Sequence, residues 1–214
     1  LYKVNFLTIS DRLYGYDKVN LKKINSYGAC NSNDKVLKNS INIAIIGKFR
    51  DNNRDLVAIQ HILENYPSIK IYVYCRSYRI DKRIILLNKR YGSLILSVDK
   101  DTRFIYNELK NNIHFVWTAL NFDNEQSAYY NTSFSGCYQD AVNNRLPLII
   151  DRESNNVFGF YLKQHDFIYE NSLLETIEMV SRIDNKRYRS LVEEIEKFYT
   201  RKSNENIKNF RLLI

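Results

Sequence analysis

Five short apolar runs set the terms for this chain: INIAII at 41–46, IKIYVY at 69–74, SLILSV at 93–98, IHFVW at 113–117 and LPLII at 146–150. Each has the length of a strand covered on both faces and is short for a helix. Between them lie stretches with apolar residues at helical spacing. Leu56, Ile59, Ile62 and Leu63 form one such face before Pro67, and DKRIILLNKR at 81–90 and residues 102–110 form two more. A further helix is expected from Cys137 to Asn144, before Pro147 ends the helical option. Strands alternating with helices give a parallel sheet with helices on both faces. The expected fold is therefore a Rossmann-like α/β unit over 41–214. Short strand pieces at 158–161 and 167–169 and amphipathic helices at 173–183 and 188–199 complete it as a helical tail. Residues 1–10 hold a candidate strand. Residues 11–40 are polar, Asn-rich and weakly patterned, so 1–40 reads as an interdomain segment or an N-terminal arm.

Ligands of open parallel sheets bind at the carboxyl ends of the strands. Two loops there are suited to anions. After the first run come Gly47, Lys48, Phe49 and Arg50, and then Arg54, before the next helix. Ahead of the fifth run, Asn131, Thr132, Ser133, Ser135 and Gly136 lead into the helix at Cys137. A polar loop that opens into a helix N-terminus offers unpaired N–H groups and the positive end of the helix dipole, which suits a phosphate or diphosphate. Ser-rich helix starts are also common as plain caps. Neither a G-x-G-x-x-G fingerprint nor a P-loop is present.

Gly47-Lys48-Phe49, then Arg54, then DLVAIQHILENYPSIKIYVY resembles the opening of the C-terminal, donor-binding domain of GT-B glycosyltransferases. Asp140-Ala141, a helical stretch and Leu146-Pro147-Leu148-Ile149-Ile150 are similar in register to a later motif of the same domains. The resemblance covers roughly 41–160 and, more loosely, the tail. The order and separation of the motifs are more specific than either alone. The resemblance implies a nucleotide-sugar donor as substrate, with the diphosphate held by Lys48, Arg54, Ser133, Ser135 and Gly136. It implies nucleotide or sugar contacts from Gly47, Cys137, Asp140 and Glu170, the last at a late strand–helix junction. It assigns no catalytic residue and calls for no cofactor or metal. Two positions depart from the pattern. The second acidic residue of the retaining branch is Thr132 here, and the usual Gly before the Leu-Pro pair is Arg145. The resemblance therefore fixes neither the sugar nor the stereochemical outcome.

The net charge of +8 raises the question of nucleic acid. The Lys and Arg residues are scattered and no nucleic-acid motif occurs, so an anionic donor or an anionic membrane surface accounts for the balance better. No apolar run reaches the length of a membrane span, and a cytoplasmic location is expected. Cys30, Cys75 and Cys137 are odd in number and far apart, with no C-x-x-C and no Cys/His cluster, which argues against zinc and against a disulfide framework. His114, inside an apolar run, reads as a satisfied core histidine. Arg54 reads as a loop side chain that folding does not need.

Two functions remain open on the sequence. One is the donor-binding half of a glycosyltransferase acting on an unknown acceptor. The chain holds one nucleotide-binding unit where a GT-B enzyme has two, and it starts at Leu1 rather than Met, so an acceptor-binding domain is expected to be missing or supplied by a partner. The other is a non-catalytic Rossmann-like nucleotide-binding or assembly module.

Overall fold

The computed structural model describes residues 6–8, 21–23, 35–37, 40–49, 54–120, 136–151, 168–169 and 173–211. Two short strands, β1 (Phe6–Thr8) and β2 (Leu21–Lys23), pair in parallel as a separate ribbon. The first lies inside the strand expected at 1–10, and the second falls in a stretch whose sequence carries no strand pattern. The main sheet has six parallel strands, β3 (Ile41–Ile46), β4 (Ile69–Cys75), β5 (Leu94–Val98), β6 (Phe115–Trp117), β7 (Leu148–Asp151) and β8 (Ile168–Tyr169), in the spatial order β5-β4-β3-β6-β7-β8. The chain winds outward from β3 through β4 to β5. It then returns to lay β6 against the other side of β3. The order reverses between β3 and β6, and that reversal is the topological switch point of a doubly wound sheet.

Period-two alternation sends side chains to the two faces. Ile43, Ile45, Ile71, Val73, Phe115 and Trp117 pack with α1 (Leu56–Asn65), α2 (Lys82–Arg90), α5 (Leu173–Ser181) and the start of α6 (Asn185–Arg211). Ala44, Tyr74, Val116, Leu148 and Ile150 pack with α3 (Thr102–Asn111), α4 (Gly136–Asn143) and Phe198 from the middle of α6. The expected parallel sheet with a helical layer on each face is thus observed. Phe158–Tyr161, expected as a strand, lies outside the described residues.

Helix starts follow a common rule. Asp55, Asp81 and Asp101 cap α1, α2 and α3, accepting from the backbone N–H of Ala58, Arg83 and Phe104 at 2.9, 2.8 and 2.6 Å. α4 ends differently. Arg145 takes a left-handed φ of 49°, where the related pattern has Gly. A side chain there is strained by about 1–2 kcal/mol. Its guanidinium reaches Glu196 at 3.2 Å and lies 5.4 Å from the Tyr199 ring centroid, so the same residue ties α4 to α6.

β6 begins at Phe115 rather than at Ile113. The reason is His114. Its N–H donates to Asn42 O at 2.8 Å, while its ring Nδ1 accepts from Asn42 N–H at 2.9 Å. The imidazole thus stands in for a main-chain carbonyl at the edge of the ladder. His114 is a satisfied core histidine, at the sheet edge opposite the switch-point loops. Burial, and then the charge of Lys35, lower its pKa to about 4. A histidine that charges in the unfolded chain near pH 6.5 but stays neutral in the fold removes stability as pH falls from 6.5 to 4. We expect a loss of about 3 kcal/mol across that window from this group. His114→Gln keeps an acceptor for Asn42 and should show a smaller loss. Urea denaturation of both proteins at pH 6.5 and pH 4 checks this; equal losses would contradict it.

Candidate functional site

The site is built around the last carbonyl of β3. Gly47 follows it with φ of 113°, a conformation that disfavours any side chain, and its N–H donates to Tyr74 O at 2.9 Å. A Cβ on Gly47 would stand 3.2 Å from Nη2 of Arg54. The turn calls for glycine, and a Cβ there would also push the guanidinium aside by a few tenths of an ångström. Phe49 is buried, and its N–H donates to Arg79 O at 2.8 Å, so the turn is pinned to the short helix after β4.

Arg54 is only 8 % exposed. Its Nε donates to Lys48 O at 3.0 Å, Nη2 donates to Ile46 O at 2.9 Å, and Nη1 donates to Thr118 O. The guanidinium lies 5.6 Å from the Phe49 ring centroid. Asp55 N–H donates to Ala119 O at 2.9 Å, and Arg54 forms an antiparallel bridge with Leu120. The segments that leave β3 and β6 are therefore stitched together across the switch point. The expectation of a loop arginine outside the core is corrected: Arg54 is buried and donates to three main-chain carbonyls. Among the described residues, no carboxylate contacts the guanidinium. A buried cation held only by dipoles is hydrogen-bonded but not neutralised.

The loop after β6 is strained. Ala119 is fully buried with φ of 47°. Thr118 Oγ1 and Trp117 Nε1, beside it, are buried with no hydrogen-bond partner among the described residues. Such groups are uncommon, and they cluster here next to the switch point.

α4 docks onto the same carbonyl. Gly136 is its first residue, and the thiol of buried Cys137 donates to Ile46 O at 2.8 Å. The N-terminus of α4 thus meets the end of β3, while that of α1 is tied to the segment after β6. One turn further along α4, Asp140 Oδ1 accepts from the Tyr106 hydroxyl on α3 at 3.2 Å. Burial raises the Asp140 pKa, and the Tyr106 bond counteracts that.

The structure thus gathers Gly47, Lys48, Arg54, Gly136 and Cys137 about one point and sets Asp140 one turn below. Ser133, Ser135 and Glu170 lie outside the described residues. The sequence placed Phe49 in the basic loop and the loop from Thr118 on the same sheet edge but gave neither a role, and it missed Tyr106. Among the described residues, no three His, Cys, Asp or Glu side chains gather to hold a metal ion.

The fold is a Rossmann-like α/β unit with the architecture seen in one half of GT-B glycosyltransferase structures. Solved structures bear this out. The chain is similar to S. aureus TarM in complex with Fondaparinux, alpha-GlcNAc-glycerol and UDP, with TM-score 0.61 and 14% identity over 97% of this chain and 43% of that one. It is similar to the GtfA/B complex, with TM-score 0.66 and 12% identity over 98% of this chain and 44% of that one. It is also similar to a Thermobaculum terrenum O-GlcNAc transferase, with TM-score 0.57 and 12% identity over 97% and 43%. The chain spans less than half the length of these neighbours. It has the fold of the C-terminal half of GT-B glycosyltransferases. No protein-family model matches the chain, and no curated protein does either. Among the described residues, no helix is long and apolar enough to cross a membrane.

The bracket has a measurable consequence. Arg54→Ala leaves the carbonyls of Lys48 and Thr118 without this donor, and that of Ile46 with only the Cys137 thiol, and should lower unfolding stability by about 3 kcal/mol. Arg54→Lys cannot span all three and should recover only part of the loss. Urea unfolding reads both; an unchanged midpoint for Arg54→Ala would show that the bracket carries no stability.

Proposed function

We propose that this chain is the donor-binding half of a glycosyltransferase that uses a nucleotide-diphosphate sugar. The observation that carries the reading is Arg54, a buried guanidinium with no carboxylate partner among the described residues. It sits between two helix N-termini at the switch point of the sheet. The guanidinium and the N-terminus of α4 are positive and favour an anion there, while Asp55 already caps α1. A diphosphate leaving group gains negative charge as the sugar–phosphate bond breaks. A fixed positive site stabilises that charge without a covalent intermediate. In this reading Lys48 and Arg54 offset the diphosphate, and Ser133, Ser135 and Gly136 hold its oxygens at the start of α4. Gly47 gives the close approach, while Cys137, Asp140 and Glu170 lie toward the nucleotide or sugar. The acceptor and any general base would come from a second domain, on the same chain or on a partner.

A second reading, a nucleotide-binding or assembly module without chemistry, is favoured by one observation. Arg54 and Cys137 both direct side-chain donors to Ile46 O, and Asp140 is engaged by Tyr106. Groups already satisfied by the protein have less to give a substrate.

A thermal-shift titration separates these from no nucleotide role at all. UDP or GDP should raise the melting temperature more than uridine or guanosine, because phosphate contacts supply most of the affinity. At about 100 times its Kd, a ligand adds about 2.7 kcal/mol of stability. Equal shifts for nucleoside and diphosphate, or none for any nucleotide, would overturn the donor site. With a labelled nucleotide sugar and a panel of acceptors, the 214-residue chain alone should bind without robust turnover. Efficient transfer by this chain alone would contradict the division between donor and acceptor halves.

A further inference from the structure

The turn after β6 has one peptide that is free to rotate between two that are not. Thr118 N–H donates to Ile149 O at 3.2 Å, which fixes the peptide ahead of Thr118 in the ladder. Ala119 O accepts from Asp55 N–H at 2.9 Å, which fixes the peptide after Ala119 to the start of α1. The Thr118–Ala119 peptide between them is held on one side only. Its carbonyl accepts from Arg54 Nη1, while its N–H, on the opposite side of the planar trans unit, makes no hydrogen bond among the described residues. Its present orientation is also a costly one. It sets fully buried Ala119 at φ of 47°, in the left-handed region that a Cβ disfavours. Rotating this one peptide by half a turn changes ψ of Thr118 and φ of Ala119 together and leaves its neighbours in place. Ala119 would then lie near φ of about −130°, ordinary extended backbone.

We propose that an anion on Arg54 flips the Thr118–Ala119 peptide, turning its carbonyl away from the guanidinium and the Ala119 N–H toward the anion. The proposal rests on the reading of Arg54 as an anion site and gives that site a second state. Without an anion the carbonyl is the better partner, because its negative end faces the cation. Arg54 places three of its donors on the carbonyls of Lys48, Thr118 and Ile46. An anion seated on the N–H groups that remain meets the Thr118 oxygen, negative against negative. After the flip a backbone N–H faces it instead, as in the backbone nests that hold phosphates. The anion therefore has different affinities for the two states, which is the condition for shifting a conformational equilibrium. Strain released at Ala119 acts in the same direction. Thr118 Oγ1 and Trp117 Nε1, on the residues that lead into this peptide, are buried without partners among the described residues, so no side-chain bond of theirs locks the turn in its present form.

The test combines calorimetry with a crystal structure, using inorganic pyrophosphate, UDP and GDP as probes. Ala119→Gly is the variant. Glycine takes a positive φ without strain, so this change removes the gain from flipping. It should weaken every probe that binds by roughly five-fold or more relative to wild type. Wild-type crystals soaked in pyrophosphate should show Ala119 at negative φ with its N–H on the anion. That readout needs no variant, so it holds even where Ala119→Gly fails to fold. A Thr118 carbonyl still on Arg54 Nη1 in the complex, or an unaltered affinity in folded Ala119→Gly, would overturn the flip; with UDP or GDP bound, the donor site would stand. Pyrophosphate bound to a flipped peptide, with no binding of either nucleotide, would support the flip and remove the donor reading. No binding of any of the three probes would overturn both.

Discussion

One guanidinium holds the carboxyl edge of the sheet together. Beyond β3 and β6 the chain leaves the sheet, and carbonyls at the strand ends and in the following turns are paired by a side chain. Arg54 satisfies the carbonyls of Ile46, Lys48 and Thr118 from one planar group, and its guanidinium lies close against Gly47. The helix that starts beside it, α1, and the helix that meets Ile46 from the other layer, α4, then have fixed positions. A buried positive charge at the meeting point of two helix N-termini is an unfavourable arrangement by itself. An anion would make it favourable. In the proposed donor site, structural support and anion affinity would come from the same side chain, so a single substitution there should affect both.

The layers were legible in the sequence because burial on both faces writes itself as uninterrupted apolar runs. INIAII and IKIYVY became β3 and β4 almost residue for residue, and Pro67 marked the end of the first helix. Elements that do not rest on the core were harder to see. β2 has no apolar signature. The helix expected at 188–199 extends from Asn185 to Arg211. Its last turns are polar, with Ile207 half exposed, and continue because neither Gly nor Pro interrupts them.

The site was legible in its parts and not in its wiring. Gly47, Lys48 and Arg54 stand together as the spacing suggested. Nothing in a sequence tells whether an arginine reaches solvent or turns back onto carbonyls, and Arg54 turns back. Tyr106 lies thirty-four positions from Asp140, and only the crossing of α3 and α4 unites them. Arg145 looked like the loss of a helix-ending glycine. The structure gives it a second task, since its left-handed backbone aims the side chain at Glu196 and Tyr199 of α6. Departures from a family pattern can thus be local exchanges of one stabilising device for another.

The central claim is that the crevice between β3 and β6 binds a nucleotide diphosphate. A crystal structure of the protein with UDP or GDP at saturating concentration tests it most directly. The account predicts diphosphate density at the carboxyl edge of the sheet, within contact of the Gly47–Lys48 turn and the first turn of α4. An empty crevice with the nucleotide bound elsewhere, for example along the polar face of α6, would contradict it.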